Sequence, residues 1–175
     1  HTANRRQRQM CIRDRGISAY FNASTIDLSP IEKSRFFYIE GYMVTNNDVA
    51  SNELLKKASQ SNCQIALSLS DPWVAATFQT QLRQWCSIGV DIIFCNEAEA
   101  KAFTQTSSLT EAQESLKQYC NRYAITCGEK GALLYDGNNH TTINAHHINV
   151  LDTNGAGDIF AGSFLHQLSQ QKSFK

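Results

Sequence analysis

The chain is 175 residues long, 42% hydrophobic and 18% charged, a balance that suits one packed globular domain rather than a disordered segment. No apolar run approaches the roughly 18 residues a membrane span needs, and no charged start is followed by an apolar stretch and a small-residue cleavage site, so a cytoplasmic protein is expected. Formal net charge is zero, which argues against a basic surface of the kind that binds nucleic acid non-specifically.

That zero is unevenly distributed. Residues 1–15 carry Arg5, Arg6, Arg8, Arg13 and Arg15 against Asp14 alone, with no apolar periodicity, and Met10–Arg15 reads as translated adapter sequence. They are expected to be a non-native segment and are set aside. From Ile17 onward strand-like and helix-like segments alternate. Phe36–Glu40 is a β-prone run closed by Gly41, and Asn46–Ser61 follows with Val49, Leu54, Leu55 and Ala58 at helical spacing. Gln64–Ser70 is the next strand. Asp71 then caps, and Pro72 opens, a helix expected to reach about Ser87.

Asp91–Cys95 is a short continuous apolar strand, as expected where both faces are covered, and Asn96 starts a helix through Glu97, Glu99 and Ala102. A further helix over about Ser108–Asn121 feeds the strand Tyr123–Cys127. Gly128–Gly131 turns into Ala132–Tyr135, and the hairpin chemistry of Gly137-Asn138-Asn139 predicts antiparallel strands over 132–150. The closing helix, about Gly155–Gln170, carries Ala161, Phe164, Leu165 and Leu168 as an apolar stripe. Repeated strand-helix-strand units predict an α/β fold with a mostly parallel sheet covered by helices.

Six cysteines are present, none in a Cys-x-x-Cys pair or at metal-ligand spacing from a histidine, so reduced, partly buried thiols are expected. The adjacent His146 and His147 would point to opposite faces of an extended segment and suggest no metal.

The stretch richest in chemistry is Asp152-Thr153-Asn154-Gly155-Ala156-Gly157-Asp158. Glycines let backbone N–H groups converge on an anion where the positive end of a helix dipole also lies, and Asp158 in the first turn adds a carboxylate that can take a proton. The plainer alternative is a glycine-rich turn with Asp158 serving the helix dipole. The run is not a Walker A loop, lacking Gly-Lys-Ser/Thr. Nor is it a Rossmann fingerprint, since Phe160 stands at the third glycine position.

This seven-residue run resembles the C-terminal signature of the ribokinase/PfkB sugar and nucleoside kinases, and two further segments agree. Asn96-Glu97-Ala98-Glu99 is similar to the family's Asn-x-x-Glu motif, and Thr126-Cys127-Gly128-Glu129-Lys130-Gly131 to its Thr-x-Gly segment. The resemblance covers nearly everything from Ile17 to Gln170. Tyr38–Tyr42 and Ser68–Pro72 look most like the adenosine-kinase-like branch.

The resemblance implies a ribokinase-like three-layer sandwich over residues 16–175, as the C-terminal part of a kinase domain. The expectation includes the lack of the family's acceptor-binding N-terminal region and of its C-terminal end. The implied reaction moves the γ-phosphate of ATP to a hydroxymethyl group of a nucleoside or sugar. Asp158 is implied as base, and the backbone of Gly155, Ala156 and Gly157 as anion hole. Asn96, Glu99, Thr126, Gly128, Gly131, Asp152 and Thr153 would serve ATP and Mg2+, with Glu99 holding the metal through water. Asp152 and Thr153 would also shape the turn and, as in some relatives, help hold a monovalent cation such as K+. A small-molecule partner is implied, no nucleic acid or membrane, with a homodimer left open. Two alternatives remain: a non-catalytic nucleotide-binding module and an inactive fragment. For Asn96 and Glu99, a capping-box pair is the purely structural reading.

Overall fold

The computed structural model describes residues 26–149 and 151–170; residues 1–15, expected to be foreign, lie outside them. Among the described residues six strands form one sheet in sequential order: β1 Phe36–Glu40, β2 Gln64–Ser68, β3 Val90–Asn96, β4 Arg122–Thr126, β5 Ala132–Tyr135 and β6 His140–Ile143. The first four are parallel and the last two add an antiparallel meander. Each parallel crossover carries helices: α1 Ser29–Lys33 precedes β1, α2 Asp48–Gln60 lies between β1 and β2, α3 Pro72–Thr77 and α4 Gln79–Gly89 between β2 and β3, and α5 Glu97–Thr104 and α6 Leu109–Leu116 between β3 and β4. Right-handed crossovers that all step in one direction put their helices on the same face.

On that face Ile39, Ile65, Leu67, Ile93, Tyr123 and Ile125 meet Leu55, Ala58, Leu82, Trp85, Phe103 and Leu116 in one buried cluster. The alternate positions of the same strands, Ala66, Ile92, Phe94, Ala124 and Leu134, point the other way. There, among the described residues, a single helix, α7 Ala156–Ser169, covers them. The expected stripe does the covering: Ala161 and Leu168 are buried, Phe164 and Leu165 partly so, and Phe94 packs edge-on against Phe160 and Phe164 at 6.4 and 5.4 Å. At its far end Arg35 Nη1 donates to the Ser169 carbonyl at 2.7 Å, which satisfies one of the acceptors a helix end leaves over. The chain is thus an α/β three-layer arrangement.

Three expected elements differ. The helix expected from Pro72 to about Ser87 is two, because the backbone at Phe78 (φ −105°, ψ 26°) leaves the helical region. The two pieces serve different partners: α3 packs on α5 and α4 on α2, while Phe78 packs edge-on against Trp73 at 5.6 Å. The helix expected to reach Asn121 ends at Leu116, where i to i+3 bonds from Gln118 and Tyr119 tighten the chain into a last turn. Strand β6 stops at Ile143; residues 144–149 carry no regular structure, and Val150 lies outside the described residues.

All five described cysteines are free thiols, four of them buried, and burial pushes that of Cys86 up to about 12. No metal-holding cluster of His, Cys, Asp and Glu occurs among the described residues, and no described helix is long and apolar enough to cross a membrane.

Candidate active site

Parallel strands end together, so their C-terminal ends line one crevice. Here Glu40, Ser68, Asn96 and Thr126 close β1 to β4, with Asn96 and Thr126 side by side in register. The N-terminus of α7 faces them across a cavity of about 460 Å3. Its walls bring together Asn96, Glu99, Thr126, Thr153, Gly155, Gly157 and Asp158 from the sequence expectation. Ala156, Asp152, Gly128 and Gly131 do not line it.

Asn96 caps α5 as a full capping box. The Asn96 side-chain oxygen accepts from the Glu99 N–H at 2.9 Å, and Glu99 accepts from the Asn96 N–H at 3.0 Å and from Asn96 Nδ2 at 2.6 Å. The structural reading of this pair is therefore realised. It does not exhaust Glu99, since each carboxylate oxygen has a second lone pair and the residue also lines the cavity. Only 7% exposed, Glu99 has its pKa raised to about 7 by burial, against the Asn96 N–H bond that lowers it and with the nearby Asp71 charge adding to the rise.

The glycine-rich run folds by local bonds. Asp152 accepts from the Asn154 backbone N–H at 3.0 Å and from Asn154 Nδ2 at 3.3 Å, and Ala156 N–H donates to the Thr153 carbonyl at 3.1 Å. Gly155 sits at φ 74°, the left-handed region that favours glycine, and its carbonyl accepts the Ile159 N–H at 2.9 Å as α7 begins. Of the three N–H groups expected in the anion cradle, that of Ala156 is engaged inside the turn. Gly157 and Asp158 carry theirs in the first turn, where a helix supplies no acceptor and no side chain caps this end. A Cβ on Gly157 would meet nothing within 4 Å. Space for an anion lies open there.

Gly131 has a different reason to be glycine. A Cβ there would stand 1.9 Å from the Ile143 carbonyl oxygen, at φ +90°, so it admits the close pass of the chain after β6 rather than a ligand. Gly128, at φ +59°, faces open space.

Three carboxylates, Glu40, Glu99 and Asp158, line the cavity, and no Lys, Arg or His is among the described residues that do. All three are felt at one hydroxyl: Tyr38 has its pKa raised first by burial, and their charges push the same way against a lowering hydrogen bond with Ser68. Sequence reasoning gave no site role to Glu40, Tyr42, Ser68, Ser70, Phe94, Cys95, Asn154 or Phe160, which complete the walls. Their signal was positional, since most stand at the ends of predicted parallel strands or in the segments just beyond.

The sequence pattern of the pfkB family carbohydrate kinases matches residues 1–175. The chain belongs to that family. Among curated pfkB-type relatives, adenosine kinase 1 of Arabidopsis thaliana is 27% identical over 160 residues, covering 83% of this chain and 46% of its own length. The crystal structure of adenosine kinase from Sinorhizobium meliloti superposes with a TM-score of 0.84 at 27% identity, over 89% of this chain and 49% of that one. Anopheles gambiae adenosine kinase in complex with P1,P4-di(adenosine-5) tetraphosphate does so with a TM-score of 0.72 at 27% identity, over 83% and 47%. The chain thus spans about half the length of the pfkB relatives it matches.

Proposed function

We propose that this chain, over residues 16–175, is the phosphate-donor and base part of a kinase that moves the γ-phosphate of ATP to a hydroxymethyl group of an adenosine-like nucleoside or a sugar. One observation carries the reading: Asp158 and the open N–H end of α7 face Asn96, Glu99 and Thr126 across one cavity at the strand ends. The acceptor hydroxyl gives its proton to Asp158 as its oxygen attacks the γ-phosphorus, and the bond to the ADP oxygen breaks. Negative charge that develops on the phosphoryl oxygens faces the N–H groups of Gly157 and Asp158. Similarity to adenosine kinases, one of them bound to a dinucleoside polyphosphate, supports ATP as donor and a nucleoside as acceptor.

The donor set fits Mg2+. Oxygen ligands line the cavity, and three carboxylates without a cationic side chain would repel a polyphosphate unless a cation came with it. Bound there, Mg2+ would neutralise charge on the phosphates. Glu99 and Asn96 are the residues to hold its waters, and the Asp152-Thr153 turn is the place for a monovalent cation such as K+. An ATP-dependent reaction and reduced, buried thiols support a cytoplasmic setting.

The test is Asp158→Asn in a complete kinase carrying this sequence. Turnover should fall by about 10²–10⁴-fold while Mg·ATP still binds, because the amide keeps the size of the side chain and loses the proton acceptor. Near-normal turnover would reduce Asp158 to a charge at a helix end and remove the mechanism.

A further inference from the structure

Between β2 and α3 the chain makes a turn that the reaction described above does not use. Ser70 has φ +67°, and the Asp71 N–H donates to the Leu69 carbonyl at 2.8 Å, an i to i+2 bond. Together these define the rare, strained positive-φ form of the γ-turn. Among the described residues only one other non-glycine, Gln105, has positive φ, and it is the C-cap of α5, where a left-handed residue is routine. Ser70 has no such excuse. Glycine or asparagine would take this backbone more readily than serine.

Its surroundings hold the turn from several sides. Leu69 N–H donates to the Phe94 carbonyl at 3.0 Å, and the Asp71 carboxylate accepts the Trp73 N–H at 2.7 Å to start α3. Gly41 packs its bare Cα against the turn: a Cβ there would stand 2.9 Å from the Leu69 carbonyl oxygen and 3.0 Å from that of Ser68. Strain of this kind persists only where neighbours over-determine it. What the turn displays is Ser70 itself, half-buried in the cavity wall with Asn96, Glu99 and Asp158. The hydroxyl is weakly engaged. Its contact with the Ser68 carbonyl is 3.4 Å long, near the limit for a hydrogen bond, and the Ser70 N–H reaches Ser68 Oγ at 3.3 Å. The next residue, Asp71, lies close enough to Glu99 for its charge to be felt there.

We propose that Ser70 is a further phosphate-binding residue of this cavity, its hydroxyl held by the strained turn so as to donate to an oxygen of the donor's phosphate chain. The wall holds three carboxylates and no cationic side chain among the described residues, so an anion there must be met by neutral donors, and one whose position the backbone fixes, as at Ser70, loses little freedom on binding. The inference rests on the phosphotransfer reading above.

Three variants in a complete kinase carrying this sequence separate a binding role from a turn role. Ser70→Gly should leave the melting temperature unchanged or raise it, since glycine accepts this φ, yet raise the KM for Mg·ATP by about tenfold. Ser70→Ala should weaken Mg·ATP by the same factor with no gain in melting temperature. Ser70→Asn, which tolerates positive φ and offers a side-chain N–H, should recover most of the affinity. The KM of the acceptor should stay within about twofold throughout, as the removed contact is to phosphate. Normal KM for Mg·ATP in Ser70→Gly would overturn the proposal, as would equal losses for donor and acceptor. Should the parent enzyme itself show no phosphotransfer, the functional reading fails instead, and that is seen before any variant is made.

Discussion

The two faces of the sheet divide the work of the molecule. On one, the described helices α1 to α6 share a cluster in which Trp85, Phe103, Leu55, Leu67 and Leu116 are completely buried, and what they build is stability. On the other, α7 alone among the described residues covers the strands, Ile159 on that helix is 71% exposed and Leu151 before it 99% exposed, and at its N-terminal end lies the cavity. Side chains that project into a ligand cannot also be packed solid. The same strands serve both, because alternate residues point to opposite faces.

Trp85→Ala should give the largest change in stability, about 3–5 kcal/mol, by emptying the crowded face and removing the indole N–H that Asp48 Oδ1 accepts at 3.0 Å, which leaves Asn52 Nδ2 as its donor. Urea denaturation would measure it. A loss under about 1 kcal/mol would mean that the crowded face is not where stability resides.

Glu99 is the point at which the two roles meet, and pH separates them. Its pKa in the fold is about 7, against 4.5 for a free glutamate side chain, so between those values the folded chain keeps a proton that the unfolded chain has lost. Stability contributed by the neutral form is therefore present at low pH and declines as pH rises from about 4.5 to 7, by up to about 3 kcal/mol. Glu99→Gln preserves the capping box and removes the titration, so its stability should be flatter across that window. Mg2+ added at pH 8 should stabilise the parent and not the variant. Parallel pH curves for the two proteins would show that Glu99 does not titrate as stated.

A smaller effect is expected on the sparse face. Phe164→Ala removes a half-buried ring from Phe94 and should cost about 1–2 kcal/mol, with α7 loosened and Mg·ATP affinity falling alongside stability. If thermal shift and nucleotide titration moved independently in this variant, α7 would not be the element that couples the sheet to the site.

Much of this division is legible in the amino-acid order. Short apolar runs bounded by polar and glycine residues mark β1 to β4 within two residues at either end, and the Asp71-Pro72 and Asn96-x-x-Glu99 pairs mark two helix starts, because caps are local chemistry. Where tertiary contacts decide, the sequence is silent. Phe78 breaks a helix without glycine or proline, since α3 and α4 lie against different neighbours. Ser70 takes a glycine-like φ that nothing in its identity announces, and Glu40 reaches the cavity only because β1 pairs in register with β2. Glycine is ambiguous in the same way: the letter is the same whether it makes room for a ligand, as the open space at Gly157 allows, or for backbone, as at Gly131.

Because the six strands are laid down in sequence order, each strand-helix unit can dock on the one just made, and loops closed on the way are short. The exception is α7, whose last turn is tied to Arg35 across 134 residues of chain. That closure is long, so the helix bearing Asp158 is expected to dock late in folding and leave early in unfolding. Residues 144–149, exposed and without regular structure, lead toward it, and among the described residues they are a segment open to a protease. One cut would part Asp158 from Glu99 while the crowded face stayed whole.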